Sequence, residues 1–202
     1  MGRWSLLLKR KWRRFKRQIF LVAISLCFLT IFFIGNINRT GQTVEQDSEI
    51  FQKEFIDQLV PKARELKDTH GIRPSVLIAQ AILESDWGRS DLALSANNLF
   101  GIKAHGDGVD YQTKEYSEKE GWSEIKASFK EYASFEESME DYANLLHNGT
   151  DWNPTLYHPV LYAADYQEAA QRIAEAGYAT DPDYSEKIIA IIQKYELNQY
   201  DE

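Results

Sequence analysis

Residues Pro74 to Gly88, P-S-V-L-I-A-Q-A-I-L-E-S-D-W-G, would be apolar on almost every side of a helix, and they carry one carboxylate well inside the run. Pro74 suits a first helical turn and Gly88 a stop. Val76, Leu77, Ile78, Ala79, Ala81, Ile82, Leu83 and Trp87 leave no wide polar face. The pattern therefore predicts a helix that runs through the core and around which the other elements pack. Gln80 and Glu84 are the exceptions. Four residues apart, they stack on one face, and Gly88 continues that line without a side chain. A polar stripe on such a helix needs a cleft to open onto. Glu84 also falls in the last turn, where the negative end of the helix dipole and apolar neighbours both disfavour ionisation. Two readings follow from this stretch alone: a general acid with a raised pKa, or a carboxylate that reaches solvent at a fraying helix end.

The charge is distributed unevenly. Up to Arg39 there are nine basic residues and no acidic one; from residue 41 onward lie the other 14 of the 23 basic residues and all 31 acidic ones, a net charge of −17. A domain this acidic repels polyanions, which argues against nucleic acid as a partner. Ile19 to Gly35 is a run of 17 residues without a charge, long enough to span about 26 Å as a helix. The sequence after it, N-I-N-R-T-G-Q-T, offers no small-x-small cleavage site, so an uncleaved transmembrane anchor is expected. Eight basic residues before it (Arg3 to Arg17) place the N-terminus in the cytoplasm and the acidic domain outside. The expected organisation is a basic cytoplasmic segment (1–18), an anchor (19–35), a tether (36–47) and one domain (48–202). The only cysteine, Cys27, lies in the anchor, which leaves the outer domain without a disulfide or a thiol nucleophile.

Within the domain, Ser48 reads as the N-cap of a helix with Phe51, Phe55, Leu59, Ala63 and Leu66 at helical spacing, kinked or divided at Pro61. Ser90 caps a short helix that ends at Asn97 and Asn98. Those adjacent amides are either local caps or contacts for sugar hydroxyls and acetamido groups. Y-Q-T-K-E-Y and E-I-K-A-S-F flank a turn-rich S-E-K-E-G-W, which predicts a hairpin with Tyr111, Thr113 and Glu115 on one face. Ser134 and Glu137 form a capping box for a helix ending near Gly149. A loop follows from Asp151 to Pro159. Two more helices are expected, one from about Asp165 to Ala176 and one starting at Asp181 and Pro182. The domain is thus expected to be mainly α (α+β). The four histidines are scattered, and no zinc-ligand spacing, phosphate-binding glycine loop or G-x-S-x-G elbow is present. No metal or cofactor is expected.

Four blocks in order, A-Q-A-I-L-E-S-D-W-G, N-N-L-F-G-I-K, T-K-E-Y and A-G-Y-A-T-D-P-D-Y, resemble the bacterial glucosaminidase family, glycoside hydrolase family 73, of peptidoglycan hydrolases. The resemblance covers roughly Ile50 to Leu197. It implies a lysozyme-like helical domain with a small β-hairpin lobe, and cleavage of the N-acetylglucosaminyl-β-1,4-N-acetylmuramyl bond of wall glycan. On that resemblance Glu84 matches the catalytic acid, Glu115 the second carboxylate on the hairpin, and Tyr178 the aromatic at the site. Gln80, Asn98 and Phe100 are the candidate substrate contacts. Glu118 and Glu120 lie three and five residues beyond Glu115, so a shifted alignment would promote either; Tyr116 following Glu115 favours the first placement.

Glycoside cleavage needs a proton for the leaving oxygen and a group to meet the oxocarbenium-like centre. For the second role three options stand: Glu115 activating water with inversion, Glu115 as nucleophile, or the substrate's own 2-acetamido group. Peptidoglycan glycan strands and the membrane are the expected partners. A non-catalytic glycan-binding scaffold and a lytic transglycosylase are the competing readings; the intact Glu84 argues against the scaffold.

Overall fold

The structure, a computed structural model, describes residues 46–202 except 105, 107 and 118–120; along 112–117 and 121–125 it describes the backbone alone. The expected basic segment and anchor, and the tether as far as residue 45, lie outside the described residues. Among the described residues no helix is long and apolar enough to cross a membrane. The chain divides into two compact units, Met1–Phe51 and Gln52–Glu202. The second contains the helical domain and every candidate site residue.

Helix α1 covers 46–70, so Ser48 lies inside it and does not cap it. Pro61 neither divides nor ends α1. Both Pro61 and Asp57, whose carbonyl loses its helical partner to the proline ring, are exposed, so water can satisfy the freed oxygen. Phe55, Ile56, Leu59, Ala63 and Leu66 make the buried stripe.

Helix α2, Pro74–Ser85, is the expected core helix: every residue from Pro74 to Ile82 is buried, and so is Ser85. It packs against α6, α7 and the C-terminal 3-10 turn. Fully buried side chains such as Leu77 and Ile78 contribute about 1.5–3 kcal/mol each. That is ample to hold a helix that ends in a poorly placed carboxylate. The N-terminus of α2 has no local side-chain cap. Its cap comes from the far end of the chain, where Asp201 accepts hydrogen bonds from the Ser75 backbone N–H (2.8 Å) and the Ser75 hydroxyl (2.6 Å). A carboxylate at this position satisfies an orphan N–H and complements the dipole. Lys67 donates to the Asp201 carbonyl at 2.7 Å and fixes the tail from α1.

Helix α3, Asp91–Ala96, begins with Ser90 accepting from the Ala93 N–H. Strands β1, Val109–Ser117, and β2, Gly121–Phe129, form a two-stranded antiparallel sheet with Glu115 opposite Ser123. Helix α4, Phe135–Asn148, uses the expected box: Ser134 accepts from Glu137 N–H, and the Glu137 carboxylate accepts from Ala133 N–H at 2.6 Å. A short helix α5, His158–Leu161, begins within the stretch read as loop. Helix α6, Tyr166–Glu175, is capped by Asp165. Helix α7, Tyr184–Lys194, starts later than expected, because Asp181 turns back to accept from Asp183 N–H and pairs with Lys187. A 3-10 turn, Leu197–Tyr200, closes the domain.

Candidate active site

Helix α2 stops at Ser85, short of Gly88, and three consecutive residues, Asp86, Trp87 and Gly88, take positive φ values of 47°, 62° and 72°. Two of them are not glycine, so the turn must be held from outside its own preferences. Ser85 holds it: its hydroxyl donates to the Ala81 carbonyl and accepts from the Gly88 N–H, and its carbonyl accepts from Arg89 and Ser90. Gly88 is needed for space as well as for φ, since a Cβ there would lie 2.7 Å from the Phe55 ring. The turn carries the chain away from the last helical turn and leaves Glu84 uncovered.

Glu84 reaches solvent by its surface area, yet protein atoms crowd round its carboxyl group. Desolvation therefore raises its pKa above the usual carboxylate range, the negative charge of Asp181 adds to the effect, and a hydrogen bond from Tyr184 opposes it. The Tyr184 hydroxyl donates to Glu84 Oε1 at 2.6 Å. Behind that contact, Gln80 Nε2 donates to the Tyr184 hydroxyl at 3.1 Å, and the Tyr142 hydroxyl donates to Gln80 Oε1 at 2.5 Å. Burial, together with the charge of Glu84, pushes the Tyr142 and Tyr184 hydroxyls well above their ordinary pKa. Both remain donors throughout the working range of a hydrolase.

Gln80 does stack with Glu84, as its spacing predicts, but it is 0% exposed and both ends of its amide are taken by tyrosines. Gln80, the candidate sugar contact, thus lies in the core, carried there by the apolar faces of α2. The other two candidate contacts, Asn98 and Phe100, are buried as well, at 1% and 3% exposed. Phe100 stacks on Tyr142, ring centroids 4.3 Å apart and planes within 5°. Tyr178 donates its hydroxyl to the Phe100 carbonyl at 2.9 Å, and its ring lies 6.0 Å from that of Tyr184. Tyr178 thus stands beside the tyrosine that touches Glu84, half-buried, with its hydroxyl hydrogen committed to the backbone.

The Asn pair roots the hairpin. Asn98 Nδ2 donates to the carbonyls of Ile102 and Lys130, and its Oδ1 accepts from Ile102 N–H, so one buried amide ties together the chain entering β1 and the chain leaving β2. Asn97 takes the left-handed C-cap of α3 and donates to the Tyr132 carbonyl. Of the two readings of these amides, local capping is the one their bonds satisfy. Gly108 packs at the same root: a Cβ there would lie 2.5 Å from Ala104 Cβ and 2.7 Å from the Phe129 carbonyl.

Glu115 occupies the seventh position of β1, on a position of the same parity as Tyr111, whose hydroxyl bonds with Ser95 of α3. Its side chain, and all of Glu118 and Glu120, lie outside the described residues. Three of the four histidines, far apart in sequence, meet in space: His70 and His147 ring centroids are 5.6 Å apart, and His158 Nε2 lies 3.2 Å from the His147 carbonyl. Among the described residues no cluster of three or more His, Cys, Asp or Glu is placed to hold a metal ion.

A carboxyl group with a raised pKa, reaching solvent from a helical core and accepting from one tyrosine hydroxyl, has the character a glycosidase requires of its proton donor. Comparison with known proteins names the family. The glucosaminidase family model, described as mannosyl-glycoprotein endo-beta-N-acetylglucosaminidase, matches residues 60–197, and the chain belongs to this family of glycoside hydrolases. It is 45% identical over 186 residues to the exo-glucosaminidase LytG of Bacillus subtilis, covering 91% of this chain and 65% of that protein. It is 34% identical over 170 residues to the peptidoglycan hydrolase FlgJ of Vibrio parahaemolyticus, covering 80% and 53%. The chain therefore spans less than two-thirds of these relatives. Among solved structures it resembles the catalytic domain of the autolysin Auto from Listeria monocytogenes, with TM-score 0.67 and 42% identity over 75% of this chain and 88% of that one. The mainly helical architecture with a small two-stranded sheet agrees with these neighbours.

Proposed function

We propose that the chain is a membrane-anchored peptidoglycan hydrolase that cleaves the N-acetylglucosaminyl-β-1,4-N-acetylmuramyl bond, with Glu84 as the general acid. The observation that carries this reading is the Glu84 carboxyl group, open to solvent, kept protonated to higher pH by its surroundings and fixed through Oε1 by Tyr184. The Glu84 proton passes to the glycosidic oxygen as the C1–O bond breaks and its electron pair moves to that oxygen. In the inverting variant a water oxygen bonds C1 and its proton goes to Glu115. Family membership and relatives named exo-glucosaminidase and peptidoglycan hydrolase support the substrate class. Digesting purified peptidoglycan with the full chain and reading the fragments by mass spectrometry tests the reading. Fragments with N-acetylglucosamine at the new reducing end are expected. Reducing-end N-acetylmuramic acid, anhydro products or no cleavage would overturn it, the last two being the signatures of a lytic transglycosylase and of a scaffold.

The name of the Bacillus relative favours a second form of the same chemistry, exo-acting release of terminal sugars. The same spectra separate the two, since exo action yields single sugars in place of chain-length fragments.

The anchor rests on the uncharged run Ile19 to Gly35 with its basic flank and the lack of a cleavage site after it. Protease added to intact protoplasts is expected to remove the acidic domain while the membrane-bound remnant keeps its original N-terminus. Domain recovered from the medium with a new N-terminus near Asn36 would contradict the anchor.

A further inference from the structure

The carboxyl group of Glu84 stands at the end of a hydrogen-bonded series in which each donor has one available direction. Tyr142 is 0% exposed, and its hydroxyl has Gln80 Oε1 as its hydrogen-bond acceptor. Turning the Gln80 amide round would set its N–H₂ against the Tyr142 hydroxyl and strand that buried O–H without an acceptor, which is costly. The amide orientation is therefore fixed: Oε1 toward Tyr142, Nε2 toward Tyr184. Because the Tyr184 oxygen receives the Gln80 N–H, its own hydrogen points at Glu84 Oε1. Three bonds, from α4, α2 and α7, thus run one way toward the carboxyl group.

We infer that Tyr142, Gln80 and Tyr184 are positioning residues for the acid: their one-way hydrogen-bond chain keeps Glu84 Oε1 an acceptor, so the transferable proton resides on Oε2. This rests on Glu84 being the general acid. When Oε2 loses its proton to the leaving oxygen, Oε1 gains negative charge and the Tyr184 hydrogen bond becomes charge-assisted. The interaction is then stronger in the transition state than before it, which is what accelerates a step. Successive bonds polarise one another, so the interior members reinforce the last. Among the described residues, the charged or titratable groups facing Glu84 are Tyr184 of α7 and Asp181 ahead of α7, with Tyr142 of α4 and Tyr178 behind them; Asp181 is itself paired with Lys187.

The test uses the full chain with ¹³C-labelled glutamate and tyrosine, comparing wild type with Tyr184→Phe, Gln80→Met and Tyr142→Phe. The Glu84 carboxyl resonance is titrated without substrate, and kcat and KM are measured against pH. Tyr184→Phe removes the donation to the carboxylate and the other two substitutions weaken it, so the Glu84 midpoint and the alkaline limb of the rate profile are expected to move to higher pH. The largest movement is expected for Tyr184→Phe and a smaller one for Tyr142→Phe, which touches no atom of Glu84. Tyr184→Phe is expected to lower kcat by about tenfold to a hundredfold with little change in KM, the size of effect that loss of orientation produces. Folded Gln80→Met and Tyr142→Phe proteins with an unmoved midpoint and unchanged kcat would overturn the chain. Should those variants not fold, the wild type decides. The Tyr142 Cζ resonance is expected to follow the Glu84 midpoint, and its failure to do so overturns the chain. A Glu84→Gln protein that still cleaves glycan removes the acid assignment alone, since the midpoint shifts are read without turnover.

Discussion

Glu84→Gln is expected to abolish wall hydrolysis and leave the domain folded. The amide oxygen still accepts from Tyr184, so the geometry at Oε1 survives, while the group that replaces Oε2 has no acidic proton to give. Loss of a general acid costs about 10² to 10⁴ in rate. Renatured gels containing peptidoglycan, with circular dichroism to verify folding, check the result. Clearing at near wild-type rate would remove Glu84 from the acid role. The same variant carries a stability signature. Because the folded-state pKa of Glu84 is raised, the folded chain binds that proton more tightly than the unfolded chain. Wild type is therefore favoured by this group below the ordinary glutamate pKa and loses that stability as pH rises through the folded value. The substituted amide does not titrate, so Glu84→Gln is expected to melt higher than wild type at neutral pH, with the gap closing in acid. Active-site groups commonly carry such a cost. Melting curves at pH 7 and at pH 3 measure it.

Glu115→Ala is expected to lower turnover by about 10² to 10⁴ while glycan binding stays nearly unchanged, if Glu115 activates water. The first-formed sugar then has inverted anomeric configuration, which NMR of fresh product reads directly. Attack by the substrate's acetamido group would instead retain configuration and make Glu115→Ala milder, because the nucleophile belongs to the glycan. Parallel Glu118→Ala and Glu120→Ala proteins test the placement. If one of them is damaging and Glu115→Ala is silent, the second carboxylate lies on the turn, and the glucosaminidase reading stands.

Much of the framework was legible in local pattern. The core character of Pro74 to Ile82, the Ser90 and Ser134 caps, the hairpin and the helix ahead of Gly177 all follow from periodicity and capping chemistry, which act over a few residues. The departures arise where distant groups intervene. Pro61 stays inside α1 because Asp57, whose carbonyl it frees, is exposed to water. The α2 N-terminus lacks a local cap because Asp201, 126 residues away from Ser75, supplies one. Asp181 pairs with Lys187 and delays α7.

The sequence by itself determined that one carboxylate sits in the last turn of a buried helix, because hydrophobic periodicity dictates burial and leaves Glu84 as the exception. It also determined the family, through four ordered blocks that the family model matches over 60–197. Only the tertiary structure decided what the neighbouring polar residues do. Gln80, Asn98 and Phe100 share motifs with the candidate acid and hairpin, yet they face inward. The physical reason is that a side chain's partners are set by which elements pack together: Tyr142 and Tyr184 arrive from α4 and α7 to claim Gln80 and hold Glu84, and no spacing within α2 contains that information.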